Sequence, residues 1–238
     1  MREHRIATAN ISVAAVKHNP AKVQQSLEGL FEHHGVDSAG LQEAGQAHKI
    51  VEAAARAVGA DVYWGEGRPG EDSTPIIYLK SLKNPKFSSV QLTERTDGAN
   101  AGAVDTLHPK YLLTVKYGFN GRRIKHNNTH GIVSQQFPQN DRVAEIQFKK
   151  VAGAVRTQRG IRFVTADFNN VPGAQNLRPL ERELDSSQRL LGILDTKDNR
   201  SIDDVYCVSQ KGLYVPKHHF VVNNPGDHLW YVLVGNVG

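Results

Sequence analysis

Four of the apolar, strand-forming runs in this chain border on acid, amide or imidazole groups: Gln42-Glu43, His130, Asp167-Phe168-Asn169 and Asp227-His228. A carboxylate inside a buried strand costs several kcal/mol unless it is paired. At strand ends the same groups can gather along one edge of a sheet, so the placement favours a fold that brings several strand ends together.

The remaining pattern supplies such a fold. Residues 5–15 (RIATANISVAA) are rich in small and β-branched types and predict a buried first strand reaching the polar Asn10, and AKVQQSLEGLFEHH then carries helical periodicity. SAGLQEA predicts a strand and AHKIVEAAARAVGA a second helix, so Gln42 and Glu43 fall at their junction. DVYWGE and PIIYLK predict strands, and YLLTVKY with RRIKHNNTH predicts a hairpin turning at Asn120-Gly121. A helix is expected from about residue 140 to 159, with Val143, Ile146, Val151 and Val155 on its apolar face. The strand IRFVTADFNNVPG follows, then a third helix over about 176–192, then strands in SIDDVYCVS, LYVPKHHFVV and LWYVLV. Strands alternating with helices early, hairpins in the middle and strands at the end predict two packed sheets with helices on their outer faces.

With 238 residues, 39% of them hydrophobic and 22% charged, the chain can bury one large core. Its net charge is +5 and its pI about 9.3, which suits an anionic partner such as nucleic acid. The basic residues are scattered in sequence and form no stripe. The nearest to a run, Arg122, Arg123 and Lys125, reads as a solvated hairpin end or as a phosphate contact. The only cysteine, Cys207, precludes an intramolecular disulfide. No apolar stretch approaches the roughly 18 residues of a membrane span, and the N-terminus lacks the pattern of a secretory leader. A cytoplasmic protein with no membrane insertion and no obligate protein partner is expected.

Asn10, LQE at 41–43, NTH at 128–130, ADFN at 166–169, IDDV at 202–205 and GDH at 226–228 follow one another along the chain. In that order they resemble the motifs of the endonuclease/exonuclease/phosphatase superfamily, the deoxyribonuclease I-like metal-dependent phosphoesterases. The resemblance spans residues 10–228 and implies one such domain over residues 1–238: a four-layered α/β (α+β) sandwich of two packed, mostly antiparallel sheets flanked by helices. It also implies a Mg²⁺ cofactor, replaceable by Mn²⁺, and phosphoester hydrolysis.

The resemblance assigns roles by position, and the chemistry of each side chain agrees. Glu43 is the main ligand of a hard, oxygen-seeking cation, with Asp227 beside it and Asn10 supplying an amide oxygen or orienting the carboxylate. Glu43 equally suits the cap of the following helix. Asp167 and Asn169, two apart, share one face of an extended segment and place the attacking water, although an Asx turn before Val171-Pro172-Gly173 fits the same residues. Asp203 orients His228 and sets its tautomer, while Asp204 points the other way. His130 stabilises charge that builds on a phosphoryl oxygen.

Two patterns are set aside. His126 and His130 have zinc-pair spacing only on a helix, and their segment predicts a strand. Gly65-Glu66-Gly67-Arg68-Pro69-Gly70 fits a dinucleotide fingerprint but leads through Pro69 into a strand instead of a helix. Among departures from the family pattern, Gly131 replaces an apolar residue and is expected to loosen its loop. The reading favours a Mg²⁺-dependent DNA nuclease. A phosphomonoesterase or a lipid or inositol phosphate phosphoesterase is the alternative on the same scaffold, and a non-catalytic binding module is the third.

Overall fold

The computed structural model describes residues 2–65, 73–94, 109–133, 140–193, 196, 202–208 and 213–238. Among them, twelve strands form two six-stranded sheets. The first sheet has the order β11-β12-β1-β2-β4-β3, from Tyr214–Val222, Trp230–Val237, His4–Asn10, Ser38–Gln42, Ile76–Leu79 and Ala60–Tyr63. The second has the order β5-β6-β7-β8-β10-β9, from Lys83–Gln91, Tyr111–Phe119, Arg122–His130, Ile161–Asp167, Asp203–Cys207 and Asp185–Ser186.

Each sheet is antiparallel except for its central pair, β1–β2 in one and β7–β8 in the other. Parallel neighbours cannot be joined by a hairpin and need a crossover. Here α1 (Val13–His18) and α2 (Pro20–Glu32) carry the first crossover and α4 (Asp141–Arg156) the second; α3 (His48–Ala57) packs beside α2. Three apolar clusters result: one between the first sheet and its helices around Leu27, Leu41 and Val232, one between the sheets around Ile6, Val115 and Phe163, and one under α4 around Phe148, Val164 and Phe168. The layers are therefore helix, sheet, sheet, helix.

Several elements depart from expectation. The first strand ends at Asn10, and residues 13–18 are helical, because Ser12 takes a left-handed φ of 49° that turns the chain out of the sheet. β5 was not expected; it is an edge strand, where Pro85 is tolerated and no apolar alternation is needed. The third helix is broken into a 3₁₀ turn (Gln175–Leu177), α5 (Arg178–Glu181), β9 and α6 (Ser187–Leu191). Asp204 causes the last break: its carboxylate accepts from the Ser186 hydroxyl, from Ser187 Oγ at 2.8 Å and from the Gln188 N–H at 3.3 Å. On α4, Ile146 is only half-buried and the inward stripe runs Val143, Gln147, Val151. Of the run Gly65–Gly70, only Gly65 lies within the described residues.

Between the sheets, a buried hydrogen-bonded chain runs through the apolar core from His4 and Ser38, at the starts of β1 and β2, to Asn128 and Gln42 near the ends of β7 and β2. His4 Nε2 meets Tyr117 Oη at 2.9 Å, Tyr117 meets Ser38 Oγ at 2.8 Å, and Ser38 meets His126 Nδ1 at 2.9 Å. His126 Nε2 then meets Thr165 Oγ1 at 2.8 Å, and Thr165 donates to Asn128 Oδ1 at 2.9 Å. Gln42 closes the chain with a 2.8 Å bond to the same Asn128 oxygen. Because that oxygen only accepts, every proton upstream has a fixed direction, and both imidazoles are neutral Nε2–H tautomers. His126 thus spends both nitrogens on neutral hydroxyls and holds no zinc. Gly40 makes the chain possible, since a Cβ there would collide with the Thr165 hydroxyl and the Asn128 amide.

Burial pushes His4 and His126 down to about 3. Unfolded histidine titrates near 6.5, so each contributes stability that is complete above that pH and is lost as pH falls toward 3, at about 1.4 kcal/mol per pH unit. Urea unfolding between pH 7.5 and 5 should therefore show a stability slope that His126→Gln makes shallower by about one proton's worth. Equal slopes in the two proteins would contradict the neutral, buried assignment.

Candidate active site

The two parallel pairs point their C-terminal ends at the same edge of the sandwich. Asn10 lies level with Gln42 in one sheet and His130 with Asp167 in the other, while antiparallel β10 brings Asp203 alongside Asp167. β12 enters the same edge from the bend that carries His228, and the Trp230 indole donates to the Asn10 carbonyl at 2.9 Å.

Asp167 is the hub. Its Oδ2 accepts from Asn10 Nδ2 at 3.0 Å and lies 3.7 Å from His130 Nε2 and 3.8 Å from His228 Nε2. The same Asn10 nitrogen donates to Glu43 Oε1 at 3.0 Å, so one amide ties a carboxylate of each sheet. Asn10 Oδ1 accepts from the Ser12 N–H at 3.0 Å, which turns its nitrogen, not its oxygen, toward the acids. Glu43 has φ of 56° and makes no side-chain cap to the turn that follows. Its Oε2 accepts instead from the Val13 N–H at 3.3 Å, at the start of α1.

Asp203 Oδ2 accepts from His228 Nδ1 at 2.9 Å; an ionised carboxylate only accepts, so the proton sits on Nδ1 and Nε2 faces Asp167. The Asp203 carboxyl is raised above its usual range, chiefly by burial and then by the charge on Asp167. The Asp203 and Asp167 carboxylates and the His228 ring place one ligand atom each within 4.8 Å of one another. Among the described residues no lysine or arginine pairs with Glu43, Asp167 or Asp203. Three carboxylates, two of them about 2% exposed or less, thus converge with no lysine or arginine paired to them among the described residues. Such a donor set suits a hard divalent ion.

Asn169 does not share an extended face with Asp167. β8 ends at Asp167, and Asn169 adopts φ of 52° in an Asx turn, its N–H donating to Asp167 Oδ1 at 2.8 Å. That turn still delivers it: Nδ2 donates to the Gly131 carbonyl at 2.9 Å and lies 3.2 Å from His130 Nε2. Asp227 is exposed on the bend beside buried His228. Asp204, as its strand position requires, faces away from Asp203 into the Ser186–Ser187 cap. Non-glycine residues with left-handed φ are uncommon, yet Ser12, Glu43 and Asn169 all lie here, a concentration of backbone strain typical of functional sites.

Two positioning roles emerge only with the fold. Gln147 on α4 accepts from the Ile132 N–H at 3.1 Å and donates to the His130 carbonyl at 2.8 Å, holding the loop behind His130. Asn128 donates to the Leu41 carbonyl at 2.7 Å, tethering the strand that precedes Glu43. A polar residue in an apolar helical stripe would have pointed to Gln147.

Gly131 tightens its loop instead of loosening it. Its N–H donates to the Asp167 carbonyl at 2.7 Å, and a Cβ would collide with the Phe168 carbonyl. Gly131→Ala should accordingly lower stability by about 1–3 kcal/mol, the usual range for overpacking, read as a shifted urea midpoint; an unshifted midpoint would show that the loop has slack.

No protein-family model matches this sequence, and no curated protein does. Solved structures do. The endonuclease/exonuclease/phosphatase from Bacteroides vulgatus superposes with a TM-score of 0.74 at 16% identity, covering 100% of both chains. D. rerio TDP2 complexed with a single-strand DNA product gives 0.75 at 17% identity, again over 100% of both chains. The Bacteroides thetaiotaomicron mannosyl-6-phosphatase Bt3783 gives 0.72 at 15% identity over 98% of this chain and 99% of that one. Two mixed six-stranded sheets between helices, matched over their whole length, give this chain the fold of the endonuclease/exonuclease/phosphatase proteins.

Proposed function

We propose that the protein is a metal-dependent phosphodiesterase and that its substrate is DNA, in a cytoplasmic setting. The observation that carries the reading is the convergence of Glu43, Asp167 and Asp203 with His130 and His228 at one edge, with no lysine or arginine paired to the three carboxylates among the described residues. Mg²⁺, or Mn²⁺ in its place, would be held by Glu43 and Asp227 with Asn10 fixing the carboxylate, and would polarise a phosphoryl oxygen.

The chain's own groups do the rest. Asp167 takes a proton from the attacking water as its oxygen forms the new bond to phosphorus and the ester P–O bond breaks, the leaving oxygen carrying off the bonding pair and taking a proton from solvent water. Asn169, set by its Asx turn, holds that water or a phosphate oxygen. His228 presents Nε2 to the same space, and Asp203 on Nδ1 keeps the ring in one tautomer and balances its charge when it is doubly protonated. His130 stabilises the second non-bridging oxygen.

A net charge of +5 favours a polyanionic substrate. The single-strand DNA product in the TDP2 structure supports nucleic acid. No helix of the described residues is long and apolar enough to cross a membrane. Similarity to a mannosyl-6-phosphatase supports a phosphomonoesterase as the second reading, and a panel of plasmid DNA, linear DNA, single strands and sugar phosphates separates the two.

With Mg²⁺, plasmid cleavage should be abolished by chelator and lowered at least about a hundredfold by Glu43→Gln and by His228→Ala. Cleavage that survives both substitutions would sink the site. Since Asp203 acts through His228, Asp203→Asn combined with His228→Ala should cost little more than His228→Ala alone. Multiplying effects, measured as single-turnover rates, would show that Asp203 works separately.

A further inference from the structure

Basic residues scattered in sequence become a stripe in the second sheet. Strand register sets Lys86 opposite Lys116, Lys116 opposite Lys125 and Lys125 opposite Arg162, one cation from each of four neighbouring strands. Their neighbours Val115, Tyr117, Ile124 and Phe163 pack between the sheets, so alternation turns this row to the outer face. Strands lie about 4.8 Å apart, which makes the row roughly 14 Å long. An open cavity of about 900 Å³ adjoins it, lined by Lys83, Lys86, Lys116, Arg122, Arg123 and Lys125 together with the Asn120-Gly121 turn.

None of these six cations pairs with an aspartate or glutamate among the described residues, and Arg122 donates through Nε to the Gly238 oxygen at 2.5 Å. Lys125 is only 9% exposed. Its ammonium is pushed below the usual lysine range by burial and by the charges of Lys116, Arg123 and Arg162. Like charges stacked directly across strands destabilise a sheet, so an anion that neutralises several of them at once is the complementary ligand. A single phosphate is too short for a 14 Å row, whereas one strand of a duplex carries a phosphate every 3.4 Å of helix axis and presents several to such a row.

We propose that this groove is a second, non-catalytic binding site for the phosphodiester backbone of nucleic acid. It lies at the opposite end of β7 from His130: seven residues separate Arg123 from His130, roughly 23 Å of strand. The groove holds the backbone without reading bases, since cations line it and the neighbouring aromatic rings of Tyr117 and Phe119 are buried in the core. A long substrate is thereby held while a distant part of it is cut. The proposal takes from the proposed function only that nucleic acid is the substrate.

The test is fluorescence anisotropy of a labelled 30-base-pair duplex with the full chain in EDTA, where nothing is cleaved. The Lys86→Gln/Lys116→Gln/Arg123→Gln variant should bind at least tenfold more weakly at about 0.1 M salt. Its plot of log affinity against log salt should be shallower by two to three, since each lost phosphate contact removes about 0.9. Turnover of bis(p-nitrophenyl) phosphate with Mg²⁺, a substrate too small to reach the groove, should be unchanged, and the urea midpoint should be the same or higher. Unchanged duplex affinity and salt slope would overturn the proposal. So would tripolyphosphate competing as well, phosphate for phosphate, as the duplex, because the groove would then be a small-anion site. Tight, groove-dependent binding by a protein that cleaves no nucleic acid would sink the nuclease reading and leave the groove standing.

Discussion

The hydrogen bond from Asn10 to Asp167 joins the last residues of the two central strands, one from each sheet, and the site depends on it. Two carboxylates near one another and away from water repel and lose hydration, and leaving either unmatched costs several kcal/mol. Asn10 meets this with one nitrogen shared between Glu43 and Asp167, and the Asn169 N–H and the His228–Asp203 pair meet it from the other side. Neutral donors hold the acids in place without discharging them. A lysine or arginine in the position of Asn10 would satisfy the acids completely and leave them no affinity for a divalent ion.

Position at the strand ends is only half of what the acids need; the other half is a platform that does not yield. The buried chain from His4 to Gln42 supplies it. Gln42, the residue before Glu43, is pinned by Asn128 across the interface and by Thr8 beside it, and Asn128 also holds the Leu41 carbonyl. Glu43 can therefore sustain a left-handed backbone that a free loop would relax. An apolar interface could pack as well, but it would not fix register one residue before a strained turn, because hydrophobic contact is non-directional. Gly40 belongs to the same logic: the absence of a side chain on β2 lets two polar side chains of the second sheet reach across.

Legibility in the sequence followed the range of the interaction. Residues that border apolar runs, Glu43, His130, Asp167, Asp203 and His228, carry a local signature and do meet at one edge. Asn169 reaches the edge through an Asx turn, where the sequence predicts an extended face shared with Asp167. The break of the third helix was invisible because its cause, Asp204, lies some sixteen residues downstream of the helix it recaps. β5 lacks a signal because an edge strand exposed along most of its length and carrying a proline needs no apolar alternation. Gln147 looks like an ordinary polar residue until the elements it bridges are in contact, and the motif that contains Asn128 gives no hint that this side chain tethers the Leu41 carbonyl.

The basic row shows the same limit from the other side. Lys86, Lys116, Lys125 and Arg162 are spread over 77 positions and look scattered, yet register alone lines them up. Sheets have little net dipole of their own, so the side chains set any polarity along the strands. Here β7 starts among arginines and lysines and ends at a histidine beside uncompensated carboxylates. A polyanion approaching the acidic end meets repulsion unless a divalent ion intervenes, while the basic end attracts it at any time and most strongly at low salt. On the proposed reading, holding and cutting fall to opposite ends of the same strands, and the one sheet that carries both keeps their separation constant.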